Sequence, residues 1–211
     1  WRTLRVERFE MRFLVGGLLG LWVTLATLVT VVATASAQDY GDTPYVQTPQ
    51  VVVDKMLEVA KITSKDFLVD LGSGDGRMVI AAAKRGARAH GVEFNPDLVA
   101  LSQRAAAAAG VADKATFSQG DMFEADISKA TVMPLFLLPN HLSRLAPRFL
   151  QLKPGARVVS NTYEIGGGWE PDETVRTTPC NSWCIAVLYV IPARAAGSWQ
   201  LADGEWLHLE Q

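Results

Sequence analysis

The sequence has few of the residues from which metal centres and hydrolytic sites are built. Its 211 residues include two cysteines and three histidines, and the histidines are scattered without the spacing of metal ligands. There is no G-x-S-x-G elbow, and no histidine has an evident nucleophilic partner. The net charge is −2, so no broad basic field would attract nucleic acid. We therefore expect no metal site, no hydrolase chemistry and no nucleic-acid partner.

The glycine-rich stretch VDLGSGDGRMVIAAAKRG, residues 69–86, lacks two well-known phosphate-binding spacings. It contains neither G-x-G-x-x-G nor a glycine followed by Lys-Ser/Thr, so it indicates neither a dinucleotide loop nor a P-loop. Gly72, Gly74 and Gly76 instead occupy alternate positions after Asp70, which closes an apolar segment. Because glycine accepts positive φ and has no side chain, this pattern predicts a tight bend whose main-chain N–H groups approach a ligand.

A second acid supports a nucleoside ligand. Glu93 closes the next apolar run, ARAHGVE, about twenty residues after the first acid. In doubly wound sheets, an acid at that position accepts hydrogen bonds from ribose hydroxyls. The sequence therefore predicts a ligand that carries a ribose but no pyrophosphate.

Strands and helices alternate along the chain after a polar linker at 38–48, so we assign one domain to 49–211. After a first helix that begins near Thr48, the patterns predict strands at 67–71, 88–93, 115–119, 131–138 and 156–161, and helices at 77–85, 96–109 and 140–150. This alternation indicates a parallel sheet with helices on both faces. Strand patterns at 183–192 and 199–210 then predict an antiparallel end to the sheet.

The N-terminal segment 1–37 differs from the rest. Arginines precede an uncharged stretch at 13–37, which ends in the triplet Ala35-Ser36-Ala37. A basic start, an apolar middle and an A-x-A end are typical of a secretory signal peptide. The stretch is also long enough to cross a bilayer of roughly 30 Å, so a membrane anchor and a buried helix stay open as alternatives. The basic start predicts that the domain is exported or anchored across the membrane.

The two cysteines, Cys180 and Cys184, are four positions apart. In a strand, residues at that spacing lie about 13 Å apart, which exceeds the reach of a disulfide. We therefore favour unpaired structural cysteines, with a disulfide across a bend and a metal site as the alternatives.

Taken together, these residues resemble class I S-adenosylmethionine-dependent methyltransferases over residues 44–210. The resemblance implies a Rossmann-like α/β fold: a mostly parallel seven-stranded sheet, an antiparallel C-terminal strand and helices on both faces, here preceded by an N-terminal hydrophobic helix. In that family the D-x-G-x-G-x-G loop lies beneath the methionine part of the cofactor. The acid after the second strand holds the ribose, and an acid after the third lies beside the adenine.

The resemblance assigns S-adenosylmethionine as the cofactor. It implies that the cofactor is bound by Tyr45, Thr48, Asp70, Gly72, Ser73, Gly74, Gly76, Glu93, Phe94, Asp121 and Met122. For the first two, a linker and a helix cap are the alternative interpretation. Asp75, inside the glycine loop, is interpreted equally well as a helix cap and as a ligand contact.

A closer likeness narrows the family. The segments TPYVQTP, GVEFNPDLV, ATVMPLFLLPN and LKPGARVVSN resemble the small protein-lysine methyltransferases that modify adenine nucleotide translocase and the c subunit of ATP synthase, together with their bacterial relatives. This likeness implies N-methylation of a lysine in a protein substrate, which includes membrane proteins, by a monomeric enzyme. A small-amine methyltransferase, a non-catalytic cofactor-binding module and a nicotinamide-dependent oxidoreductase remain the alternatives.

The acceptor site is the least defined part of the sequence. LFLLPN lacks the acid and the aromatic residue of the N/D-P-P-Y/F motif, which counts against nucleic-acid and glutamine amino groups as acceptors. Asp126, before the fourth strand, and Glu164, after the fifth, are our candidates to orient a lysine ammonium group. For each, a solvated loop carboxylate is the alternative. Since the methyl donor is made in the cytoplasm, the N-terminal segment leaves open which side of the membrane holds the domain.

Overall fold

The computed structural model describes residues 45–193 and 197–209. In chain order the helices are α1 (Gln50–Val59), α2 (Arg77–Lys84), α3 (Pro96–Ala108) and α4 (Pro139–Phe149), and the strands are β1 (Phe67–Leu71), β2 (Arg88–Glu93), β3 (Ala115–Gln119), β4 (Val132–Leu135), β5 (Arg157–Asn161), β6 (Glu173–Arg176), β7 (Ile185–Val190), β8 (Gly197–Gln200) and β9 (Trp206–Leu209). Strands β1 to β7 form one sheet in the order β3-β2-β1-β4-β5-β7-β6. Strands β1 to β5 are parallel.

The parallel strands are buried because helices cover both faces of the sheet. Strand β4 is buried at every position, and β1 and β5 are buried at all but their first residue. Residues of α1, α2 and α3 pack on one face, and residues of α4 pack on the other. The near-continuous apolar runs of these strands follow from burial on two faces. The predicted mostly parallel α/β sheet with helices on both faces is confirmed.

The C-terminal part confirms the seven strands of the sheet and its antiparallel last strand, β7, which lies between β5 and β6. It differs from the expectation at 199–210, because the hairpin of β8 and β9 forms a separate two-stranded sheet. The pattern at 199–210 thus predicted a hairpin correctly but not its place outside the main sheet. Strand β6, with the sequence ETVR, was missed because an exposed edge strand does not need an apolar run.

The interpretation of the cysteines as unpaired was wrong. Cys180 and Cys184 form a disulfide, and their Cα atoms are 5.8 Å apart. The segment between β6 and β7 bends sharply: the N–H of Thr177 donates to the carbonyl of Cys184 at 2.7 Å, and Trp183 has a φ of +57°. This bend supplies the close approach that an extended strand would not allow.

The N-terminal expectations lie outside the described residues, since the described part begins at Tyr45. They comprise the signal peptide or anchor at 1–37, its hydrophobic helix and most of the linker at 38–48. Within 45–193 and 197–209, no helix is both long and apolar enough to cross a membrane.

A buried ion pair joins the amino ends of three neighbouring strands. Oδ1 of Asp66 accepts hydrogen bonds from Nη2 of Arg157 at 2.5 Å and from Oγ1 of Thr131 at 2.8 Å. Oδ2 accepts from the backbone N–H of Thr63 at 2.8 Å. Burial acts against the negative charge, but these hydrogen bonds outweigh it, so the pKa of the Asp66 carboxyl is lowered. The pair lies at the edge of the sheet opposite the carboxyl ends of the strands.

We predict that Asp66→Asn destabilises the protein by about 3 kcal/mol at pH 7, because the guanidinium of Arg157 loses its buried partner. Since folding lowers the pKa of Asp66, its contribution is present above about pH 4 and is lost as the pH falls through the folded-state value. Urea unfolding of both proteins at pH 7 and pH 3 checks this. A difference in unfolding free energy that stayed the same at both pH values would contradict the assignment.

Candidate active site

The glycine loop between β1 and α2 makes the bend that the sequence predicts. Gly72, Gly74 and Gly76 have φ values of +72°, +56° and +77°. A Cβ atom at Gly74 would lie 2.5 Å from Cε2 of Tyr45, and one at Gly76 would lie 2.7 Å from the ring of Phe117. Both distances are far below van der Waals contact. Gly76 therefore needs glycine for space as well as for conformation, whereas the contact at Gly74 is with the exposed, movable ring of Tyr45.

Glu93 ties the glycine loop to the end of β2. Its Oε2 accepts a hydrogen bond from the N–H of Gly74 at 2.8 Å, and its Oε1 accepts from the N–H of Asn95 at 2.9 Å. The side chain of Asn95 caps α3 by accepting from the N–H of Asp97, and Pro96 starts that helix. Each carboxylate oxygen has a second lone pair, so the half-buried Glu93 retains acceptor capacity for hydroxyl groups.

Asp70, the last but one residue of β1, is a buried carboxylate. No group in the described part of the chain donates a hydrogen bond to it, and it is 8% exposed. Burial raises the pKa of the Asp70 carboxyl well above its usual range, and repulsion from Glu93 and Asp75 adds to the rise. The ionised form is therefore costly in the protein alone, and a cationic ligand would relieve that cost.

The segment before α1 covers the glycine loop. The ring of Tyr45 lies against Gly74, and the carbonyl of Thr48 accepts a hydrogen bond from Nη1 of Arg77 at 2.8 Å. Asp75 accepts hydrogen bonds from both the backbone N–H and the guanidinium of Arg77. The N-cap residue of α2 is Gly76 and no side chain caps this helix, so Asp75 forms a local ion pair with Arg77 and is not its cap. Burial acts against its charge, but the hydrogen bonds from Arg77 prevail and lower the pKa of Asp75.

The predicted adenine contacts follow β2 and β3 at the same edge. The N–H of Gly120 donates to the carbonyl of Glu93 at 3.0 Å, which places Asp121 and Met122 beside the end of β2. Oδ1 of Asp121 accepts from the N–H of Phe123 at 2.8 Å, whereas Met122 packs against the core on the α4 face. The side chain of Phe94 is 46% exposed. Their roles toward the adenine stay predictions.

Ser73 faces the sheet. Its side chain is buried, and a Cβ atom placed on Gly91 of β2 would lie 2.5 Å from the Ser73 hydroxyl oxygen. That oxygen has no hydrogen-bond partner in the described part of the chain. The hydroxyl therefore packs behind the glycine loop, while its backbone belongs to the loop itself.

The two candidate acids for the acceptor lie apart. Glu164 is exposed and follows β5 at the edge that carries the glycine loop. Asp126 is also exposed and accepts from the N–H of Ser128 at 2.9 Å. The carbonyl of its neighbour Ala125 binds Arg148 in the last turn of α4, which is the end away from the glycine loop. The structure thus brings only Glu164 to this edge, and both catalytic roles stay predictions.

An aromatic cluster at this edge was missed in the sequence. It consists of Phe136, Tyr163 and Trp183; the ring centroids of Phe136 and Trp183 are 5.4 Å apart, and those of Tyr163 and Trp183 are 6.1 Å apart. The available signal was an aromatic residue directly after the fourth strand and another just after the fifth. Among the described residues, no group of three or more His, Cys, Asp or Glu side chains is placed to hold a metal ion.

The sheet order, the three-glycine bend after β1 and the carboxylate at the end of β2 together define a class I S-adenosylmethionine-dependent methyltransferase. Residues 70–173 match the family model of the ANTKMT methyltransferase domain. A protein-lysine N-methyltransferase of Saccharolobus islandicus is 44% identical over 151 residues, which cover 70% of this chain and 93% of that protein. The chain belongs to the ANTKMT methyltransferase family.

Two further relatives support this placement. A Mus musculus lysine N-methyltransferase of the ATP synthase c subunit is 33% identical over 174 residues, which cover 80% of this chain and 68% of that protein. A crystal structure from Salinibacter ruber, described as an RNA methyltransferase in complex with S-adenosyl-L-homocysteine, is 48% identical with a TM-score of 0.65. It covers 70% of this chain and 94% of its own. The cofactor predicted from the sequence, S-adenosylmethionine, is confirmed.

The residues at this edge fit that cofactor. The three glycines of the bend, Gly72, Gly74 and Gly76, leave room at the main chain. The buried carboxylate of Asp70 lacks a donor and would complement the cationic methionine part of the cofactor. The spare lone pairs of Glu93 suit the hydroxyls of a ribose. When bound, S-adenosylmethionine supplies the activated methyl group. The protein holds and orients the reactants rather than supplying chemical groups of its own.

We predict that Asp70→Asn makes the cofactor-free protein more stable at pH 7, because it removes a costly buried charge. Since folding raises the pKa of Asp70, the gain should vanish as the pH falls toward about 4, where the wild-type carboxyl is protonated as well. Thermal unfolding across that pH range checks the sign. The same variant should bind S-adenosylhomocysteine about tenfold more weakly, because a hydrogen bond to a charged group is lost. Unchanged affinity would contradict the role of Asp70.

We also predict that Glu93→Ala weakens cofactor binding about tenfold or more, since it removes the ribose acceptor and releases the N–H of Gly74. Isothermal titration with S-adenosylhomocysteine measures the affinity. Glu58→Ala serves as the matched control, because Glu58 is an exposed acid on α1 whose partner is Lys55. Equal affinities for the two variants would overturn the assignment of Glu93.

Proposed function

We propose that this methyltransferase transfers a methyl group to the ε-amino group of lysine in a protein, and that this protein is embedded in a membrane. The 44% identity to a protein-lysine N-methyltransferase, over 93% of that relative, is the observation that carries the proposal. The membrane substrate is supported by the name of the mouse relative, whose substrate is the c subunit of ATP synthase. The apolar stretch at 13–37, outside the described residues, suits an enzyme that works at a membrane surface.

Methylation of lysine requires little acid–base catalysis from the protein. The ammonium group must lose a proton before its nitrogen can act as a nucleophile, and a carboxylate or a solvent chain can assist that step. Glu164 is exposed at the carboxyl edge of the sheet, so it can receive such a proton and exchange it with water. The main contribution of the protein to methyl transfer is then to align the lysine nitrogen with the methyl carbon at roughly 3–3.5 Å.

A nucleic-acid substrate is the competing function, because the Salinibacter ruber relative is described as an RNA methyltransferase. The net charge of −2 argues against it, since the affinity of proteins for nucleic acids depends mainly on neutralising phosphates. The missing N/D-P-P-Y/F motif after β4 points the same way. Lysine in a protein therefore remains the better supported acceptor.

The test supplies all acceptor classes together. The full chain is incubated with methyl-labelled S-adenosylmethionine, a detergent-solubilised membrane-protein fraction, total RNA and free small amines, and each fraction is then separated and counted. We expect the label in a membrane protein and, after acid hydrolysis, in N-methylated lysine. At a low concentration of S-adenosylmethionine, the Glu93→Ala variant should incorporate about tenfold less label than the wild type. Label confined to RNA or to small amines would refute the proposal.

A further inference from the structure

The aromatic cluster lies at the same edge of the sheet as the glycine loop. Phe136 directly follows β4, Tyr163 follows β5 by two residues, and Trp183 precedes β7 by two. Because β7 runs antiparallel to β5, with Asn161 opposite Ala186, the start of β7 lies beside the end of β5. The N–H of Thr162 closes this junction by donating to the carbonyl of Ile185 at 2.7 Å.

The cluster is adjacent in the chain to a residue that contacts the cofactor loop. Leu137, the neighbour of Phe136, has its Cδ2 atom 3.4 Å from the position of a Cβ on Gly72. In the sheet order, β1 lies next to β4, and β5 follows on the far side. The glycine loop after β1 and the aromatic cluster after β4 and β5 therefore occupy neighbouring positions along one edge.

The three rings contact one another at ordinary aromatic distances, and none of them is fully buried. All three are half-buried, so part of each ring remains accessible. The rings of Phe136 and Tyr163 are tilted by 57° and 52° to the ring of Trp183. Tilted rings present π faces in different directions, and a π face attracts a cation within about 6 Å of its centroid.

The backbone that holds the cluster is strained. Trp183 and Thr162 have φ values of +57° and +66°, a region that is unfavourable for residues other than glycine. Strain of this kind persists where the surroundings hold it, and here Trp183 lies in the loop closed by the Cys180–Cys184 disulfide. The positive φ and the disulfide-closed loop therefore both involve Trp183, whose ring contacts the rings of Phe136 and Tyr163.

A neighbouring polar group is incompletely bonded. Asn161, the last residue of β5, is fully buried, and its Nδ2 has no hydrogen-bond partner in the described part of the chain. Its Oδ1 accepts from the hydroxyl of Thr162 at 3.0 Å. Buried amides are normally satisfied, so this end of β5 has an unmet capacity for polar contact.

We propose that Phe136, Tyr163 and Trp183 form the pocket that receives the acceptor side chain, and that their π faces select a cationic amine. This inference rests on the proposed function, because it names how the lysine of that reaction is recognised. Glu164 follows Tyr163 directly in the chain and is exposed at the same edge of the sheet. The three aromatic residues determine specificity by touching the substrate; they take no part in proton transfer.

The test separates attraction to a cation from apolar packing. Trp183→Leu keeps apolar volume but loses the π face, and Trp183→Phe keeps a π face. We expect Trp183→Leu to raise KM for the protein acceptor about tenfold, in line with a cation–π contact, and Trp183→Phe to restore most of the affinity. The affinity of both variants for S-adenosylhomocysteine should match that of the wild type, since none of the three rings belongs to the cofactor site.

Two controls keep this test decisive. Trp206→Leu changes an exposed tryptophan of the separate β8–β9 sheet and should leave KM unchanged. Phe136→Leu probes a second ring outside the disulfide loop, in case variants at Trp183 lower thermal stability, and should raise KM similarly. If the wild type methylates lysine while Trp183→Leu and Phe136→Leu leave KM unchanged, the proposed pocket is refuted but the proposed function is not. If the wild type methylates no lysine at all, the proposed function fails first.

Discussion

The carboxylate of Glu93 is the interaction on which the rest of the site depends. One of its oxygens binds the N–H of Gly74 in the loop after β1, and the other binds the N–H of Asn95 at the start of α3. A single side chain thereby joins the ends of two parallel strands to the beginning of a helix. Because both bonds are charge-assisted, they hold the backbone more firmly than neutral hydrogen bonds would. The surface that faces the nucleoside is consequently ordered before the ligand arrives.

The charges of this edge suit a positively charged cofactor. Asp75 and Glu93 lie close enough to Asp70 to repel its negative charge, and the three carboxylates have very different hydrogen-bond partners. Arg77 neutralises Asp75 and Glu93 has two N–H donors, whereas the carboxylate of Asp70 receives no hydrogen bond from the described residues. The uncompensated charge is thus concentrated at one buried point. A positively charged ligand at that point would offset the cost of the buried charge.

The sequence predicted those parts of the structure that local patterns determine. The strands that carry the site, β1, β2 and β3, lie at the predicted positions, because buried parallel strands require apolar runs. The bend at Gly72–Gly76 was predicted because only glycine tolerates it. Contacts between distant segments were not accessible in this way: the place of the polar edge strand β6 and the aromatic cluster depend on how separate parts of the chain meet. The Cys180–Cys184 disulfide depends on a sharp bend within one loop, which the strand pattern of the sequence did not reveal. The position of Asp126 away from the glycine loop likewise follows from the path of the loop along α4.

Gly91 shows how the strand behind a binding loop can govern the loop. It lies inside β2, where a Cβ atom would come within 2.5 Å of the Ser73 hydroxyl oxygen and 2.7 Å of the Phe117 ring. The side chain of Ser73, which belongs to the glycine loop, occupies the space beside this glycine. Even a methyl group in that strand would therefore collide with the Ser73 side chain and force the glycine loop to shift. The position of the loop thus depends on a residue that lies behind it, inside β2.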